Sequence, residues 1–205
     1  MPAPETLREL RRGQIVAVAR KIVADEGLEA LTIGSLEARL AFSRGVITYH
    51  FQNKDDIVHA VLESAIDEIN AGIDAHLGTN LSAEEKLRTM LKMYVRGFLE
   101  HVEATRILLS FWGRISSDKR ARKANANLYA AYRKGMAQLL EAAKASGEFA
   151  PDANVDAVAA ALVGVVVGIA MQSYFEKGAI DADAAIDEAA QAALARLRRR
   201  TNSNT

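Results

Sequence analysis

Between Ala157 and Met171 the chain reads AVAAALVGVVVGIAM, fifteen residues without a single charge. A bilayer needs roughly 18–20 apolar residues in a helix that crosses it. This run falls short, begins after Asp156, ends at Gln172 and lacks flanking basic anchors. The reading is a buried helix. Because it is apolar almost all round, it has to be covered on more than one side. Gly164 and Gly168 would let another helix come close. Any fold for this chain must supply those covering surfaces.

The rest of the sequence supplies helices. Only three prolines occur, and Ala, Leu, Glu, Lys and Arg dominate, a composition that favours the helical state. No strand pattern and no internal repeat is evident. The spacing of Ile15, Ala19, Ile22 and Val23 predicts a helix over 8–26, with Gly27 placed to end it. Thr32 is a candidate N-cap for a short helix over 33–40. After a break at Ala41-Phe42, Ser43 is placed to cap a third helix through His50. Asn53 is placed to cap a fourth, with Asp55 and Asp56 where the helix dipole favours negative charge. That helix is expected to run to about Leu77. Further helices are expected over 83–102, 105–116, 118–146, 154–177 and 183–199. The expectation is an all-α protein of about nine helices.

Composition removes several classes of function. Cysteine is absent, which excludes disulfides and thiolate chemistry. The formal net charge is zero, so bulk charge points to neither nucleic acid nor membrane. His50, His59, His76 and His101 are scattered. His59 and Glu63 share a helix face, which usually means a solvated surface rather than a metal pair. No Ser-His-Asp set, phosphate-cradling glycine loop or dinucleotide fingerprint is evident. Neither catalysis nor a metal or cofactor is expected. The first residues show no apolar segment of the signal-peptide kind, and a cytoplasmic protein without a membrane partner is the expectation.

One local arrangement does point to a partner. Two short helices joined by a tight turn form a helix-turn-helix, whose second helix can enter the major groove of DNA. Here that helix is residues 44–50. Ile47 and Phe51 can face inward, leaving Arg44, Thr48 and Tyr49 outside. Arg44 suits a guanine edge or a phosphate. Tyr49 and His50 have planar polar tips suited to phosphate oxygens, which position a protein without reading sequence. Lys54 opens the next helix, where its charge and free backbone N–H groups can converge on one phosphate.

The stretch RRGQIVAVARKIVADEGLEALTIGSLEARLAFSRGVITYHFQNKDDIVHAVL resembles the DNA-binding domain of the TetR family of bacterial transcriptional repressors. Ile15, Ala19, Gly27, Thr32-Ile33, Leu36, Ser43, Gly45, Tyr49-His50-Phe51, Lys54 and Ile57 carry the resemblance, in the family's order. It implies that Thr32, Ser43, Thr48, Tyr49, His50 and Lys54 meet the DNA backbone, and that Arg44 and Val46 meet bases. It also implies a DNA-binding domain over 1–55 and a helical effector-binding and dimerisation domain over 56–205. Three residues depart from the pattern. Ala41 stands where the family often has a turn glycine, Thr48 where an aromatic is frequent, and Gly34 lies inside the second helix.

In such proteins the C-terminal helices bind a small molecule and pair two subunits. Met90, Tyr94 and Phe98 lie on one helical face. Phe111, Trp112, Tyr129, Tyr132, Met171, Tyr174 and Phe175 add aromatic and soft surface. Of these, Met90, Tyr94, Phe98, Phe111, Trp112, Tyr132, Met171 and Tyr174 are the candidate ligand residues. They could equally fill an ordinary core. The segment from Leu108 to Ala143 loosely resembles the BetI-like branch, whose effector is choline, and tyrosine or tryptophan faces attract a quaternary ammonium. Ala161, Gly164, Val165 and Gly168 are the candidate dimer contacts. The expected function is a repressor released from a palindromic operator by a small molecule. The alternative is a sensor acting through a protein partner without operator binding.

Overall fold

The computed structural model describes residues 4–71 and 81–198. These contain nine α-helices and no strand. The helices are α1 (Pro4–Glu26), α2 (Ile33–Leu40), α3 (Arg44–His50), α4 (Lys54–Ala71), α5 (Ala83–Glu100), α6 (Val102–Trp112), α7 (Lys119–Ala145), α8 (Val155–Phe175) and α9 (Ala182–Leu197). A 3-10 turn, Leu28–Ala30, follows α1. The all-α expectation holds. The proposed extension of α4 to Leu77 lies outside the described residues.

The chain forms two compact units that are not split in chain order. The first comprises residues 4–71 and 101–125, the second 81–100 and 126–198.

In the first unit α1 packs on α4 and α6, and α4 on α6. Ile15, Ala19 and Ile22 of α1 are fully buried with Ile57 and Val61 of α4 and Ile107 and Phe111 of α6. The helical spacing of these residues lines one face of each helix. Gly27 ends α1 at φ 87°, and its N–H bonds the Val23 carbonyl at 3.1 Å. That left-handed conformation strongly favours glycine.

Charge also ties this unit together. Arg20 is buried at 8% exposure. Its Nε donates to Glu103 at 3.0 Å, one Nη to Ser64 at 2.8 Å, and the other Nη to Glu68. Glu68 Oε1 lies 3.0 Å from His101 Nδ1. One guanidinium thus joins α1, α4 and α6. The sequence reading placed a helix over 105–116. The helix instead starts at Val102 and ends at Trp112, because the chain breaks at His101, where no Gly or Pro announces it.

In the second unit α5 packs on α8 and α9, and α8 on α9. Helix α8 is longer than its uncharged run, at 21 residues, and an 18-residue window within it is 44% buried. By length and composition alone it is long enough to cross a membrane, and its bounds agree with the helix expected over 154–177. Asn154 caps it through Ala157 N–H at 3.0 Å. Ala157, Ala160, Ala161 and Gly164 stay exposed.

Candidate nucleic-acid interface

The turn between α2 and α3 is built from caps. Thr32 Oγ1 accepts from Ser35 N–H at 3.0 Å, and Ser35 Oγ accepts from Thr32 N–H at 2.9 Å. This reciprocal pair satisfies two otherwise orphaned donors. Ala41 ends α2 at φ 51° and ψ 25°, a left-handed conformation held by a residue with a Cβ. Ser43 stands at the N-cap of α3, but its side chain makes no capping bond, which corrects the cap read from sequence. The backbone oxygen of Ser43 takes the N–H groups of Val46 and Ile47 instead. Its hydroxyl is left for another partner.

Ile47 is fully buried and Phe51 nearly so. They anchor α3 and turn Arg44, Thr48 and Tyr49 to solvent. Tyr49 is 69% exposed. Thr48 Oγ1 donates to the Arg44 carbonyl at 3.0 Å, so its lone pairs remain outward. Val46 is half-buried. Lys54 opens α4, while Asn53 Oδ1 caps that helix through Asp56 N–H at 2.9 Å.

His50 is half-buried, and its Nδ1 is sealed from solvent without a protein partner. Burial, and then the charges of Arg8, Arg11 and Arg12, hold its pKa below the ordinary 6.5. Those arginines were missed in the sequence reading, although their spacing on α1 was a legible signal. Arg8 lies over the Tyr49 ring at 5.7 Å, and Arg12 over the Phe51 ring at 4.8 Å. Arg8 and Arg11 of α1 face Ser43, Gly45, Tyr49 and His50 across a cleft of about 450 Å³.

His59 and Glu63 form no metal site among the described residues. His59 Nε2 lies 3.0 Å from the Asp118 carboxylate. Burial pushes the Asp118 carboxyl up, but the Ala121 N–H, the His59 ring and the Arg120 N–H outweigh it and leave its pKa lowered.

The candidate effector residues divide between the units. Phe111 and Trp112 belong to the first; Phe111 is fully buried and Trp112 is 36% exposed. Met90, Tyr94, Phe98, Tyr132, Met171 and Tyr174 belong to the second. There Tyr94 and Tyr132 stack at 4.4 Å, and Phe98 meets Tyr132 edge-on at 6.2 Å. Gly135 makes room for this stack, since a Cβ there would stand 2.8 Å from the Tyr94 hydroxyl. The hydroxyls of Tyr129, Tyr132 and Ser173 are buried without a protein hydrogen-bond partner. Met90 lines a groove between α5 and α7 of about 510 Å³. Met171 is buried, and Tyr174 is half-buried against Phe175. Of the candidate dimer contacts, Ala161 and Gly164 are exposed and Val165 and Gly168 half-buried. A groove of about 490 Å³ lies along α8 and α9.

A family profile described as "Bacterial regulatory proteins, tetR family" matches residues 15–61. A second, "BetI-type transcriptional repressor, C-terminal", matches residues 83–199, more than half of the chain. The chain belongs to the TetR family, in its BetI-like branch. It is a transcriptional regulator of that family. The HTH-type transcriptional regulator BetI of Burkholderia ambifaria is 22% identical over 192 residues, covering 88% of this chain and 90% of that protein. The HTH-type transcriptional activator FasR of Mycolicibacterium smegmatis is 29% identical over 94 residues, covering 46% of this chain and 42% of that protein. A transcriptional regulator from Saccharomonospora viridis, solved in complex with choline, shares the fold at a TM-score of 0.73 and 19% identity, over 94% of this chain and all of that one.

Proposed function

We propose that this TetR-family chain is a cytoplasmic repressor. It binds a palindromic operator as a homodimer and is released by a small-molecule effector. The observation that carries this reading is α3. Ile47 and Phe51 hold it against the first unit while Arg44, Thr48 and Tyr49 stand in solvent. A seven-residue helix reads only a few base pairs, so two copies related by a two-fold lengthen the site. In this reading Thr32, Ser43, Thr48, Tyr49, His50 and Lys54 hold phosphates, and Arg44 and Val46 meet base edges. The functional DNA-binding segment ends near residue 55.

The second unit supports the effector role. An unmade hydrogen bond to a buried hydroxyl costs about 1–3 kcal/mol, and Tyr129, Tyr132 and Ser173 each carry one. A compound with its own polar atoms can meet the Tyr132 hydroxyl at the Tyr94–Tyr132 stack. The choline complex of the Saccharomonospora viridis regulator makes a quaternary-ammonium alcohol the first compound to try. Ligand and operator must oppose each other by one shared factor.

The test is fluorescence anisotropy with duplexes from the gene's upstream region. Tight binding to one inverted repeat, weakened by choline or by another compound found in thermal-shift screening, is the expected result. Arg44→Ala should relax preference at one base position, at about 1–3 kcal/mol for a bidentate contact. Lys54→Ala should weaken all duplexes alike and lower the salt slope by about one unit per subunit. Tyr132→Phe, which removes a buried hydroxyl of the second unit, should blunt the response to ligand while leaving ligand-free operator affinity unchanged. A relative that carries the name activator favours one second reading, in which bound protein recruits transcription. A reporter whose output falls when the gene is deleted would select it. Absence of DNA binding altogether would select a sensor acting through a protein partner.

A further inference from the structure

The cleft between α1 and α3 holds more cationic character than the reading helix itself. Arg8 and Arg11 stand on one wall, Ser43, Tyr49 and His50 on the other. Among the described residues no carboxylate lines it. Arg8 is held over the Tyr49 ring at 5.7 Å, which limits where its guanidinium can go. Arg12 is engaged with Phe51 and does not line the cleft. One further group there is uncommitted: the Ser43 side chain makes no capping bond. The space beside Gly45 is open, for a Cβ there would meet only Ser43 Oγ, at an ordinary 3.8 Å. Like charges gathered around a histidine are costly to one another, and an anion among them relieves that cost. Guanidinium groups suit phosphate oxygens in particular.

We propose that this cleft seats a DNA phosphate, with Arg8 and Arg11 of α1 as positioning residues beyond the helix-turn-helix. The cleft shares α3 with exposed Arg44 and Thr48, so the duplex that α3 reads runs past it. The phosphate fixes the tilt of α3 in the groove from its α1 side. The inference rests on the DNA-binding reading above and adds residues to it.

The experiment uses the full chain and a 40-base-pair duplex of random sequence, with affinity measured from 50 to 300 mM KCl. Each phosphate contact adds about 0.9 to the slope of log K against log salt. A dimer has two clefts, so Arg8→Gln/Arg11→Gln should lower the slope by about two. Both side chains are exposed, so the melting temperature should not move. Arg8→Lys/Arg11→Lys should restore most of the slope, which a purely structural role would not predict. An unchanged slope in Arg8→Gln/Arg11→Gln, with Lys54→Ala lowering it, overturns this proposal and leaves the DNA-binding reading standing. A wild type that binds no duplex at 50 mM KCl overturns both.

Discussion

Ala41 pays a conformational cost that its neighbours do not require. Its φ of 51° places the Cβ near the following carbonyl, which costs an L-residue about 1–2 kcal/mol. The side chain is exposed, so nothing is packed around it. Ala41→Gly should stabilise the protein by about 0.5–1 kcal/mol after the added freedom of the unfolded chain is subtracted. Thermal unfolding should show a rise of about 1–4 °C. His50 sets a pH dependence. Its folded pKa lies below 6.5 through burial and then the charges of Arg8, Arg11 and Arg12. Between the folded value and 6.5, the unfolded chain binds more protons than the folded one. Stability therefore rises with pH across that window. The contribution is complete above 6.5 and is lost as pH falls toward the folded value. Urea titrations at a series of pH values should show this slope in the wild type and a smaller one in His50→Gln.

At the scale of elements, Arg20 is the side chain on which α1, α4 and α6 converge. Arg20→Met keeps most of the buried stem but removes three charge-assisted bonds. Because Glu68 and Glu103 are about 40% exposed and can rehydrate, the expected loss is about 2–3 kcal/mol, read as a lower urea midpoint at unchanged m-value. The same cluster shows what the sequence could and could not reveal. Helices α2, α3 and α4 were legible because caps and apolar spacing are local: Thr32, Asn53, Ile47 and Phe51 behave as their types and positions dictate. The break at His101 was not legible, because its partner Glu68 is thirty-three residues away. Ser43 misled for the opposite reason. Its residue type favours capping, but the backbone turn is completed without its side chain. The Arg8, Arg11 and Arg12 patch was written in the sequence, yet its meaning depended on where α3 falls.

At the scale of the molecule, α8 is the unfinished surface. Gly164 and Gly168 meet nothing within 4 Å of a would-be Cβ. Leucine at both positions should therefore leave the single chain folded, with its circular dichroism unchanged. On the dimer reading the same change blocks close helix approach. Light scattering at micromolar concentration should give twice the chain mass for the wild type and the chain mass for Gly164→Leu/Gly168→Leu. A wild type that scatters as a monomer would remove the dimer. The make-up of that face also bears on partner choice. Ala157, Ala161, Gly164 and Val165 are small and uncharged, so they say little about which chain they meet. A related regulator with a similar stripe would fit almost as well. Discrimination can come from groups that repel, and among the described residues along this groove those are Asp152 and Arg196. In a cell that makes several such regulators, these two rim charges would govern which subunits mix.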